Sequence, residues 1–152
     1  MKEHEEFLSE FEAFARSGAT PEELMQRISS RLHEELVRYN WVGFYLIDKN
    51  DASVLVLGPY AGTDTPHKKI PLDQGLCGAA ASLKKTMIVN DVANDPRYLM
   101  GSEHTKSEII VPLIVGNRVR GELDINSYFK DTWDDREQKF VEGCAAVVGK
   151  SL

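Results

Sequence analysis

Four short stretches of this 152-residue sequence carry side chains able to bind or to react. "NWVGFYLI" places Trp41 and Tyr45 four residues apart, so in an alternating strand both rings fall on one side of the sheet. Such a pair is ordinarily core; its functional use is the aromatic wall of a ligand pocket. "GELDINS" sets Asp124 and Asn126 two apart, again sharing a side, with Leu123 and Ile125 on the opposite, buried side. If the rings and the polar pair face the same way, they converge as the groups of a small-molecule pocket do. In "PRYLMGSEHTKSEIIVP", Glu108 stands where a polar loop gives way to an apolar strand. Alone it is a surface carboxylate; beside Asp124 it would bind an ammonium group or, with a raised pKa, donate a proton. Cys77 in "GLCG" is either a small buried hydrophobe or, near a helix start, a thiol of lowered pKa.

Other chemistries find little support. The histidines (His4, His33, His67, His104) and the two cysteines show no CxxC or HxxxH spacing, so no metal is expected. "GLCGAAAS" lacks the lysine of a phosphate-binding loop and the GxGxxG spacing, and no serine or cysteine has a histidine at a hydrolase-like interval. No cofactor is implied.

The elements that must position these residues follow from periodicity. Phe7, Leu8, Phe11, Phe14 and Ala15 form a helical stripe ending at Gly18. "TPEE" at 20–23 is a capping box opening a helix expected to reach Tyr39 and to bury Leu24, Ile28, Leu32 and Leu36. "WVGFYLID" and "SVLVLGPY" about "KNDA" predict a hairpin, and "HKKIPL" a short strand. "DQGLCGAAASLKK" predicts a short helix, "TMIVND" a strand, and 93–107 a polar loop with one helical turn. "EIIVPLIV" and "RVRGELDINSYF" about Gly116-Asn117 predict a second hairpin, with a type II′ turn expected. Thr132 and Asp135 resemble a further capping box, before a helix whose stripe is Phe140, Val141, Cys144 and Val148. One domain is expected over 1–152: N-terminal helices in 1–39, sheet and pocket loops in 41–128, a C-terminal helix in 132–150. The class is α+β, with helices on one sheet face and the loops 61–84 and 90–107 closing a pocket on the other.

A formal charge of -6 disfavours nucleic acid or an anionic membrane as partner, and no apolar run approaches the ~20 residues of a bilayer crossing. The start, MKEHEEFLSEFEAF, is charged and amphipathic, unlike a signal peptide, so cytoplasmic residence is the default expectation.

Together "NWVGFYLI", "LVLGPYAG", "GLCGAAA", "IVNDV", "SEIIVPLIV" and "GELDINS" resemble a GAF domain, and within that family the free methionine-(R)-sulfoxide reductase branch. The resemblance runs from Trp41 to Phe140. It implies a six-stranded antiparallel sheet, a loop-covered cavity, dimers through the back helices, and a binding set of Trp41, Tyr45, Glu108, Asp124 and Asn126. It also implies cysteine chemistry at three positions, of which only Cys77 is met: the nucleophile's position falls on Gly101 and the resolving thiol's on His67. An aspartate of the family's polar set is replaced by Asn126. Glycine offers no thiolate and histidine no disulfide, so covalent catalysis is lost. The expected function is therefore a non-catalytic binding module for a small polar, amino-acid-like ligand, acting as a homodimer or through a partner, since 152 residues leave no room for an output domain. The alternative is a reductase using Cys77 alone, and a third is a purely structural role.

Overall fold

The computed structural model describes residues 3–152; Met1 and Lys2, at the head of the first predicted helix, lie outside them. Chain order is α1 (His4–Arg16), α2 (Pro21–Glu35), β1 (Trp41–Ile47), β2 (Val54–Ala61), β3 (Lys69–Pro71), α3 (Gly75–Leu83), β4 (Met87–Val89), a single 3-10 turn (Val92–Asn94), β5 (Ser107–Val115), β6 (Arg118–Ser127) and α4 (Asp135–Gly149). The strands make one antiparallel sheet in the order β3-β2-β1-β6-β5-β4, the α+β, GAF-like fold expected.

Alternation divides the sheet's two faces between two cores. Val42, Phe44, Leu123 and Ile125 point to the back, where α1, α2 and α4 bury them with Phe7, Phe11, Ile28 and Phe140. Trp41, Tyr45 and Ile110 point to the front, where α3 covers them with Leu76, Cys77 and Ala80. The α1 stripe is satisfied within the chain, with Phe7 6.1 Å from Phe11 and 6.0 Å from Phe140 between ring centroids. The Thr20 capping box forms as predicted: Glu23 N–H donates to Thr20 Oγ1 (3.1 Å) and Thr20 N–H to Glu23 Oε1 (2.9 Å).

Three local expectations are corrected. Helix α2 stops at Glu35 rather than near Tyr39. Leu36 is extended because the Tyr39 ring must enter the back core, where its hydroxyl donates to Glu137 Oε2 (2.7 Å) and its edge meets Trp133 (5.2 Å). The Gly116-Asn117 turn is type I′, not II′: both φ angles are positive, 54° and 68°, and asparagine tolerates the left-handed region its position requires. Finally, the α4 cap is Asp134, whose side chain accepts from Glu137 N–H (2.9 Å), in place of a Thr132–Asp135 box. Thr132 is buried and instead donates to Phe129 O (3.1 Å) and shares a bond with Ser127 Oγ (2.9 Å), fixing the chain between sheet and helix.

Candidate functional site

Strand register decides which side chains can meet. On β1 and β6, Trp41 pairs with Asn126, Gly43 with Asp124 and Tyr45 with Glu122; on β5, Glu108 pairs with Asn126 and Ile110 with Asp124. Residues directly opposite share a face, so the two rings, Glu108, Asp124 and Asn126 all project to the front. There they line a cavity with about 50 Å³ of room inside it, rings and polar groups facing one another as they do in a small-molecule pocket. Cys77 of α3 and Gly101 of the 95–106 loop complete it, so the structure brings together all seven residues singled out from the sequence.

The aromatic wall is anchored by its polar tips. Trp41 Nε1–H donates to Thr63 O (2.9 Å) and the Tyr45 hydroxyl to His67 O (2.8 Å), which fastens the loop before β3 over the rings. Their centroids lie 6.3 Å apart, and Tyr60 stacks on the outer face of Trp41 at 5.6 Å. Across the mouth, His67 Nε2–H donates to Met100 O (2.8 Å), tying that loop to the 95–106 loop.

The floor is acidic. Glu108 and Asp124 are 7% and 5% exposed, and no lysine or arginine lines the cavity; Glu122, two residues before Asp124 on the same strand face, is wholly buried outside the lining. Asn126 Nδ2 donates to Asp124 Oδ1 (3.2 Å) and Glu108 Oε2 (3.4 Å), and the Cys77 thiol points to Asp124 Oδ2 (3.8 Å). Burial, then the charge of Asp124, pushes Glu108 well above the ordinary carboxylate range. Asp124 is also raised by burial, but hydrogen bonds from Glu108, Cys77 and Asn126 and the nearby His67 pull it back. Both carboxyl groups are thus raised together, as expected of two acids close enough to resist ionising at once.

Cys77 is a buried thiol among acids. Burial first, then Asp124, Glu122 and Glu108, raise its pKa well above the ordinary 9.0, the reverse of what a nucleophile needs. Cys144 sits fully buried in the back core, on the other side of the sheet, and is raised by burial. Among the described residues no cluster of His, Cys, Asp or Glu could hold a metal ion, and no helix is long and apolar enough to cross a membrane.

Glu122 was missed in the sequence, although it shares the parity of Asp124 and Asn126 in "GELDINS". It is wholly buried under α3, neither carboxylate oxygen makes a hydrogen bond, and the Cys77 thiol and Ala81 backbone face it. Of the residues that do line the cavity, Thr65, Thr105 and Tyr128 were missed; they come from loops, where no periodicity marks them.

Comparison with known proteins agrees with this geometry. The family description of the GAF domain matches residues 20–152. The free methionine-R-sulfoxide reductase of Saccharomyces cerevisiae is 36% identical over 116 residues, 76% of this chain; the match spans 64% of the yeast protein. The enzyme of the same name from Escherichia coli is 32% identical over 124 residues, covering 82% of this chain and 73% of its own. The X-ray structure of the Neisseria meningitidis enzyme in complex with its substrate superposes with a TM-score of 0.90 at 29% identity, covering 97% of this chain and 87% of that one.

Proposed function

The chain belongs to the GAF domain family and is related to the free methionine-R-sulfoxide reductases, and from that premise we propose that it is a cytoplasmic sensory module that binds a small amine without reacting with it. The observation that carries this reading is Gly101. The resemblance assigns the nucleophile to this position, and a side chain there would face Thr65 Oγ1 and His67 Cδ2 at 3.4 and 3.8 Å, inside the cavity mouth. Hydrogen stands where sulfur would act. The one thiol in the cavity, Cys77, is held protonated by burial and acid neighbours, and Cys144 is across the sheet from it. Without a thiolate the sulfoxide sulfur meets no nucleophile. What the cavity retains is recognition: Asp124 and Glu108 for an ammonium group, Trp41 and Tyr45 for an apolar or cationic portion. Its occupancy would be relayed through a second copy or a partner chain.

The test is to titrate the purified protein with L-methionine and free L-methionine (R)-sulfoxide and to assay the latter with a thioredoxin reducing system. Binding without turnover is expected; a ligand at 100 times its Kd should raise Tm by about 5–11 °C. Sulfoxide turnover that disappears in Cys77→Ser would overturn the reading in favour of a lone-thiol reductase. The converse variant is equally informative. Gly101→Cys with His67→Cys places two thiols across the mouth, where an added side chain at 101 would meet nothing closer than 3.4 Å and lie 3.8 Å from His67 Cδ2. It should form a disulfide on oxidation and gain sulfoxide-dependent turnover; gain of neither would mean that more than the missing sulfur separates the chain from its reducing relatives.

A further inference from the structure

The sheet has an edge that its own strands do not finish. Strand β4 pairs with β5 only at Glu108–Ile110, whereas β5 pairs with β6 along its length to Val115. From Val111 to Val115, therefore, β5 has a neighbour on one side alone. A groove of about 890 Å³ runs along this stretch, walled by Lys84, Lys85 and Thr86 on one side and by the C-terminal half of α4 on the other. That half of α4 presents Ala145, Ala146 and Gly149 to the groove, small residues that leave space for incoming side chains. Ile114, on the strand itself, is 43% exposed.

The charge around the groove opposes that of the molecule. In a chain of formal charge -6, the lining cations are Lys84, Lys85 and Lys150. None of the three has an ion-pair partner among the described residues; Lys84 Nζ donates to a neutral acceptor, Asn117 O (2.8 Å). Exposed Arg118 and Arg120 continue the basic surface onto β6. Glu142 is the one carboxylate in the groove, and it is engaged by Thr86 Oγ1 (2.6 Å) and Gln138 Nε2 (3.2 Å). Lysines on an open edge repel a second copy of that edge and favour an acidic chain. Pro112 lacks a backbone donor, which a strand with one free side tolerates.

We propose that the open side of β5 at Val111–Val115 receives an extended, acidic segment of a partner protein as an added strand, with its carboxylates on Lys84, Lys85 and Lys150 and its apolar residues on Ile114 and α4. Main-chain bonds supply the attachment and the lysines the choice of partner, the division usual when a peptide extends a sheet. A duplex or single-stranded nucleic acid would meet the repulsion of the remaining acidic surface and would leave the apolar part of the groove unused.

Fluorescence polarisation with a labelled heptapeptide of alternating glutamate and valine tests this on the intact chain. Binding is expected. It should weaken at least tenfold in the Lys85→Glu/Lys150→Glu double variant, whose exposed sites leave folding intact by thermal melt. It should weaken as much when alternate peptide amides are N-methylated, and hydrogen exchange should slow at residues 113–115. Failure to bind, equal binding of the lysine–valine counterpart, indifference to N-methylation, or protection at another edge would each overturn the proposal.

Discussion

Glu122 is the residue whose presence costs the folded chain most openly. A carboxyl group buried without hydrogen bonds ionises only by leaving its charge uncompensated, so it stays protonated, and burial followed by the charge of Asp124 raises it well above 4.5. The same direction holds for Glu108 and Asp124. A carboxyl group raised on folding binds more protons in the native state than in the unfolded one. Its contribution is therefore fully present below the unfolded value and is lost as pH climbs through the folded one. The exposed acids Asp51 and Asp64 and the half-buried Asp95 are lowered, chiefly by hydrogen bonds from Ser53, Lys68 and Arg97, and act in the opposite sense at acid pH. Stability in urea should thus peak on the mildly acid side and decline toward pH 8. Glu122→Met keeps the length and removes the charge. It should raise stability at pH 8 by roughly 1–4 kcal/mol and flatten the decline, with little gain at pH 5. A variant less stable at pH 8 than the parent would show that Glu122 is satisfied after all.

The front wall of the cavity depends on β1, and within β1 on Gly43. A Cβ there would approach Trp41 Cζ3 to 2.7 Å and Tyr60 Cβ to 2.8 Å, so the indole lies flat only because position 43 has no side chain. Gly43→Ala should cost about 1–3 kcal/mol by overpacking, red-shift Trp41 emission in a Trp133→Phe background, and weaken L-methionine binding at least tenfold. An unchanged spectrum and affinity would mean that the wall is not set by this contact. The same strand shows what sequence could reveal. Period-two alternation in "NWVGFYLI", "SEIIVPLIV" and "GELDINS" is a local property of each strand, and it set Trp41 with Tyr45 and Asp124 with Asn126; that the two pairs share a face is decided by the β1–β6 register. The end of α2, the I′ turn and the Asp134 cap depend instead on where distant groups sit. Tyr39 leaves the helical path because Glu137 and Trp133 await its side chain, and Thr132 forgoes capping because Phe129 and Ser127 bond it first. The threonines of the mouth, Thr65 and Thr105, belong to loops whose paths are set by tertiary bonds such as Tyr45 to His67.

At the scale of the whole chain, one sheet separates two functions. The back core under α1, α2 and α4 holds most of the buried apolar residues, while the front core is interrupted by polar groups and lines the cavity. Stability and recognition should accordingly respond to different mutations, as sites that share no partners usually do. Phe11 is wholly buried in the back core, against Phe7 and away from every cavity-lining side chain. Phe11→Ala should cost about 3–5 kcal/mol, a large share of the ~5–15 kcal/mol typical of a domain, and lower the urea midpoint correspondingly. The fraction that remains folded at low temperature should bind L-methionine within about twofold of the parent affinity, because Asp124, Glu108 and the two rings are positioned by strand register rather than by α1. A tenfold loss of affinity in protein that is still folded by circular dichroism would show instead that the helical layer and the cavity are coupled across the sheet. The back helices would then be the route by which an occupied pocket is reported.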